Sequence, residues 1–311
     1  MAFFKYNKDV IQLCERDGMA ALPVNPIPVP TTAKHDDAPH EVLPNHEFSM
    51  GLIAPKGAGK TTLICNLLNF YKGYFHSIIV FSPTVANDEK WDWVKDQPLL
   101  AENKKLKKWL KEQKKKKQDN PIVEAPAAHS GEFDELIEND KHEKFDARIP
   151  EDCFYSDYQE EDLRKVLDQQ QAMIEYLKEH GKTKHLANRI LFLFDDLVGS
   201  SLFSGARKNA FKMLNTNHRH FSSSLIMVSQ AFKEIPKTVR TNFSCLILFE
   251  IFSDGELEAI YTEFPMGLKR PQWDELYQHC IEGDHNFLFY NMQRPKHLRL
   301  MKNLTEVLFF H

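Results

Sequence analysis

The 311-residue chain carries 44 acidic against 40 basic side chains, a formal charge of −4, and 42% apolar residues including 23 Phe. That balance excludes a uniformly basic nucleic-acid coat, so any contact with a polyanion is local, and the apolar content suffices for one large α/β domain or two average ones. The five cysteines (Cys14, Cys65, Cys153, Cys245, Cys280) are scattered without a C-x-x-C pair, and no apolar run reaches membrane-spanning length. A zinc site, a disulfide framework and a membrane anchor are therefore not expected, and the pattern is that of a soluble intracellular protein.

Residues 1–22 read as a short amphipathic helix, and the six prolines from Pro23 to Pro44 as an extended arm, so 1–45 is set apart from a domain over 46–311. A strand is expected at Met50–Ala54 and a helix from Thr61 to Lys72, where Leu63, Ile64, Leu67 and Leu68 recur at helical spacing. Between them lies Ala54-Pro55-Lys56-Gly57-Ala58-Gly59-Lys60-Thr61-Thr62. A strand, a glycine-rich turn, then Lys-Thr opening a helix is the layout of a phosphate-binding loop. Gly57 and Gly59 free the backbone to aim several N–H groups at one anion, and the helix start adds its positive dipole end. Lys60 would reach the terminal phosphates and the Thr61 hydroxyl would sit on Mg²⁺. The loop's first position, usually Gly, is Ala54, which costs little if its φ is negative.

Ser77–Phe81 reads as a short buried strand ended by Ser82-Pro83-Thr84, with helical character around Trp91 and Trp93. Composition then changes. Nine lysines fall between Lys104 and Lys117, followed by an acidic stretch, so 101–148 reads as a partly helical or disordered insertion outside the sheet. Its lysines suit either a solvated helix face, an import signal or a track for DNA phosphates. A helix is expected over Asp162–Lys178. The apolar run Ile190–Phe194 then ends in Asp195-Asp196, two carboxylates at a strand end far downstream of a phosphate loop. Placed beside the phosphate-loop strand, Asp195 would serve Mg²⁺ and Asp196 the attacking water.

From Leu197 to Lys233 there is no acid, while Arg207, Lys208, Lys212, Arg219 and Lys233 all occur. A Gly/Ser loop (198–205), a helix (206–214) and Asn217-His218-Arg219-His220 lead to the strand Leu225–Gln230, whose closing Gln230 suits a γ-phosphate sensor. The acid-free stretch could face DNA or donate an arginine to a neighbouring subunit. A fifth strand follows at Cys245–Phe249. Helices near 256–264 and 273–280, and a closing β pair at 286–290 and 297–301, complete the chain.

Taken together, the phosphate loop, the Ser-Pro-Thr strand end, the variable insertion, Asp195-Asp196, Arg219-His220, Ser229-Gln230 and Val239-Arg240-Thr241-Asn242 resemble, in that order, the poxvirus-type genome-packaging ATPases of the FtsK/HerA superfamily. The resemblance covers about 46–252 and implies a P-loop NTPase fold of the RecA-like type, with a mostly parallel five-stranded sheet flanked by helices. It implies ATP at Gly57, Ala58, Gly59, Lys60, Thr61 and Thr62, Mg²⁺ on Thr61 and Asp195, Asp196 as catalytic carboxylate and Gln230 as sensor. An arginine acting in trans is implied too, Arg219 first and Arg240 second. Double-stranded DNA, a hexameric or pentameric ring and capsid proteins are the implied partners. Asp196 stands where the wider superfamily prefers Glu. A HerA-like helicase or DNA pump, or a catalytically weak relic serving in assembly, are the alternatives. The D-x-x-G at Asp196–Gly199 lacks a later N-K-x-D, which argues against a GTPase.

Overall fold

The computed structural model describes residues 37–119, 145–197, 200–203 and 209–308. The expected N-terminal helix and most of the proline arm lie outside these residues, as do 120–144 of the insertion and most of the 198–208 loop, Arg207 and Lys208 included. The described residues all fall in one unit, His35–His311.

Among the described residues nine strands share one sheet: β1 (Ser49–Ile53), β2 (Ser77–Phe81), β3 (Phe154–Tyr155), β4 (Ile190–Asp195), β5 (Ser223–Ser229), β6 (Cys245–Leu248), β7 (Leu288–Asn291), β8 (Leu300–Lys302) and β9 (Glu306–Val307). Their order is β3-β2-β4-β5-β1-β6-β7-β8-β9. The first six run parallel and the last three extend the sheet antiparallel. Nine strands therefore replace the five expected around the phosphate loop. The closing pair joins the same sheet, and β3 and β9 are two-residue strands too short to leave an alternation in the sequence. A second correction concerns neighbours. The strand ending in Asp195 is not beside β1, because β5 pairs with both and lies between them.

The central strands are apolar end to end because both faces are covered, as parallel sheets require. Every residue of β4 is buried. On one face Phe81, Phe192, Phe194, Met227 and Leu248 pack under α4 (Glu160–Glu179), α5 (Ala210–Asn217), α7 (Asp254–Glu263) and α8 (Arg270–Ile281), through Leu163, Phe211, Ile260 and Trp273. On the other, Leu52, Val80, Leu193, Val228 and Ile247 meet Ile64, Leu67 and Leu68 of α1 (Lys60–Phe70) and Trp91 of α2 (Glu89–Asp96). A satellite cluster joins α3 (Lys104–Asp119) to α4, so the first part of the lysine-rich segment is an ordered helix. The short α6 (Lys237–Arg240) precedes β6. Among the described residues no helix is long and apolar enough to cross a membrane.

Candidate functional site

The phosphate loop leaves β1 at its C-terminal end, between β5 on one side and β6 on the other, so strand order reverses there. Crevices at such points are where open α/β sheets hold ligands. Ala54 is buried and donates its N–H to Ser229 O at 3.1 Å. It is absent from the residues with positive φ, so this position does not require glycine. Gly57 (φ 83) and Gly59 (φ 102) do occupy the left-handed region. Gly59 caps α1 with no side chain bonded to the helix start. The first ladder bond of α1 is Leu63 N–H to Gly59 O, at 3.0 Å. The amides of Lys60, Thr61 and Thr62 thus precede any intrahelical acceptor and stand at the positive end of the helix, a cradle suited to an anion.

Parallel strands to one side deliver the acids. Ser82, just past β2, donates its hydroxyl to Asp195 Oδ2 at 2.8 Å. Asp195 closes β4 and is buried, and Asp196, one residue on, turns outward with φ 51. Gln230, just past β5, donates Nε2–H to Asp196 Oδ2 at 2.7 Å. Lys60 Nζ lies 3.9 Å from the same oxygen. β4 is two strands away from β1, about 10 Å at the usual spacing. The long Lys60 stem and the outward turn at Asp196 close that gap across β5. Burial raises the Asp195 carboxyl above its ordinary pKa, against the Ser82 hydroxyl and the Lys60 charge, which pull it down. A cation at this point would offset the burial cost, and a Thr hydroxyl with a carboxylate is an oxygen donor set that suits Mg²⁺.

Lys60, Asp196 and Gln230 are thus brought together, with Asp195 beside them and Thr61 on the adjoining helix turn. Arg219 is not with them. It is exposed in the turn ahead of β5, at the opposite end of a seven-residue strand, roughly 20 Å from Gln230. Arg240 is engaged within the chain. It is buried, its Nε and Nη2 bond Glu263 at 3.0 and 2.6 Å, and its Nη1 donates to Phe232 O and Ile235 O. Its guanidinium also stacks on the Phe232 ring. Held in this way it anchors the loop after β5.

Three contributors escaped the sequence reading. Ser82 was legible only as a strand end, since nothing local marks it as the partner of a carboxylate 113 positions away. His285 donates Nδ1–H to Ala58 O at 3.0 Å, from the turn between α8 and β7. Phe252, 78% exposed, stands at a cavity of about 220 Å³ on the β6 side of the loop, with Pro55, Phe249, Asp284 and His285. An exposed aromatic following an apolar strand was the only available signal for it.

Residues 132–272 match the family model described as Poxvirus A32 protein. That span holds Asp195, Asp196, Arg219, Gln230 and Arg240; the phosphate loop lies outside it. The "Uncharacterized protein 075L" of Invertebrate iridescent virus 6 is 25% identical over 148 residues, 44% of this chain and 54% of that one. The chain thus spans about half the length of this relative. Among solved structures, the genome packaging NTPase B204 from Sulfolobus turreted icosahedral virus 2, in complex with AMPPCP, is 12% identical with a TM-score of 0.42, covering 79% of this chain and 93% of its own. ATPases 2 and 3 of EssC from Geobacillus thermodenitrificans are 12% identical with a TM-score of 0.40, covering 82% and 39%.

Proposed function

We propose, taking the Poxvirus A32 protein family as the chain's own over residues 132–272, that the protein hydrolyses ATP with Mg²⁺ to drive double-stranded DNA into a viral capsid. One observation carries the reading: a lysine from a glycine-rich loop and an amide from a neighbouring strand converge on a single carboxylate oxygen, Asp196 Oδ2. A structural lysine could pair with any surface acid. Here the acid follows a second, buried carboxylate, and the lysine is the first residue of a helix that no side chain caps.

Each group then has a task. The amides of α1 and the loop hold the phosphates, and Lys60 supplies a fixed positive charge at the terminal one. Thr61 and Asp195 would hold Mg²⁺, which when bound would supply positive charge to offset that of the phosphates. Ser82 fixes the rotamer of Asp195. Asp196 accepts the proton of the attacking water, and Gln230 orients that carboxylate and reads whether the γ-phosphate is present. With the acids on the β4–β5 side, the nucleoside leaves toward β6, where Phe252 offers a face for the base. Arg219 is offered to the nucleotide of a neighbouring copy in a ring of five or six. Capsid proteins are the further partners, and the host cytoplasm or nucleus, or the virion, the place of action.

The test is ATP turnover by the purified chain with and without duplex DNA, beside Lys60→Ala. Turnover raised by DNA and lost in the variant supports a motor. Turnover indifferent to DNA points to another NTPase, and none at all to a relic retained for assembly. Arg219→Ala should remove turnover and spare ATP binding; unchanged turnover rejects it as the trans residue.

A further inference from the structure

Helix α3 divides cleanly into two faces. Leu106, Trp109 and Leu110 are buried against Met173, Ile174 and Leu177 of α4. Asn103 caps its start, its Oδ1 accepting Leu106 N–H at 3.0 Å, while its Nδ2 ties the cap to Leu186 O and Asn188 Oδ1. At 100° per residue, Lys104, Lys108, Lys111 and Lys115 fall within an arc of about 60° directly opposite that buried face. All four are exposed. At 1.5 Å per residue the stripe is about 16 Å long. From Lys104 to Lys115 there are seven lysines and one acid, Glu112.

Such a helix is electrostatically self-opposed. Lysines at i,i+3 and i,i+4 repel, and no acid occupies the first turn, where the dipole favours one. Packing on α4 and the Asn103 cap hold it in spite of this. Glu102 pairs with Lys107 at 3.2 Å and Glu112 is the one acid within the helix's lysine run, so the face keeps a large excess of positive charge, which a polyanion would offset. The apolar side is already covered by α4, so no apolar face is left to enter a lipid surface. The stripe itself carries no aromatic on which unpaired bases would stack. A straight, ordered row of point charges suits the phosphates of a duplex.

We infer that the Lys104–Lys108–Lys111–Lys115 face of α3 binds the backbone of duplex DNA. The choice of DNA as the polyanion rests on the motor reading above; the electrostatics do not. The helix starts next to Ala101, bonded to Phe75 O ahead of β2, and next to Asn188 ahead of β4. It therefore lies at the end of the parallel strands away from Lys60 and Asp196, and DNA there leaves the phosphate loop open.

Four neutralised phosphates predict a contribution of about −3.6 to the slope of log K against log salt, and a loss of stripe-dependent affinity on the order of 10²-fold between 50 and 200 mM salt. The experiment measures binding of the full chain to a 30-base-pair duplex across that salt range, without nucleotide. It compares wild type, Lys60→Ala, and a quadruple variant with Lys104→Gln, Lys108→Gln, Lys111→Gln and Lys115→Gln. The slope should become shallower by three to four in the quadruple variant, uniformly across DNA sequences, with helical circular dichroism retained. A quadruple Lys→Arg variant should keep the wild-type slope. Lys60→Ala should keep it too, so loss of the motor and loss of the DNA surface are read separately. An unchanged slope in the Gln variant overturns the inference, as does a loss confined to single-stranded DNA.

Discussion

Replacing Arg240 by Met separates an anchoring arginine from one that acts on a neighbour's nucleotide. Arg240 and Glu263 are 8% and 11% exposed and meet at 2.6 Å. Removing the cation leaves a buried carboxylate uncompensated, which costs about 3–5 kcal/mol. Two carbonyls, Phe232 O and Ile235 O, lose their donor as well, at roughly 1–3 kcal/mol for each that water cannot reach. Taking the carboxylate alone, a loss of that size lowers Tm by roughly 6–20 °C in a domain of this class. Arg240→Met with Glu263→Leu removes the stranded charge and should recover most of the carboxylate part, leaving only the carbonyl deficit. Thermal unfolding of the wild type, the single and the double variant gives the ledger, and ATP turnover below the lowest Tm gives the function. The double variant should hydrolyse ATP near the wild-type rate. A folded double variant with no turnover would refute the anchoring role and return Arg240 to the nucleotide.

Asp195→Asn should be no less stable than wild type without nucleotide, yet lose Mg²⁺-dependent turnover by about 10²-fold or more, beyond what outer-shell partners of a metal are worth. The sign follows from linkage. The raised Asp195 pKa means the folded state holds the proton longer than the unfolded one, so stability falls as pH rises from about 4 through the folded value, and Asn removes that fall. Urea midpoints at several pH values check it. Gly51→Ala puts a Cβ 2.4 Å from the Phe243 ring; overpacking should cost about 1–3 kcal/mol in urea unfolding, partly recovered by Phe243→Leu. Phe252→Ala should leave stability within about 0.5 kcal/mol and raise the KM for ATP by about fivefold or more. An unmoved KM would place the base elsewhere.

The parts of the site that depend on neighbours in sequence were legible. Gly57, Gly59 and Lys60 announce their geometry because a left-handed turn into a helix start is a local requirement, and Ile190–Asp195 announces a strand buried on both faces. The order of strands was not legible. Nothing local says that β5 inserts between β1 and β4, although that insertion is what carries Gln230 to Asp196. Arg219 and Arg240 look alike in sequence, two arginines in an acid-poor stretch. Only the fold distinguishes them, since Glu263 arrives from a helix 23 positions on. The same limit hid Ser82 and His285, whose partners are far along the chain, and the two-residue strands β3 and β9, which exist only by pairing with a longer neighbour.

ATP hydrolysis by this chain requires one magnesium nucleotide to be shared between the start of α1 and the acids at the end of β4. A crystal structure of the chain with Mg²⁺ and a non-hydrolysable ATP analogue measures this directly. It should place the metal between the Thr61 hydroxyl and the Asp195 carboxylate, with the γ-phosphate against Lys60 and facing Asp196 and Gln230. A nucleotide bound with its triphosphate away from the loop, or a metal that Asp195 does not approach, would contradict it.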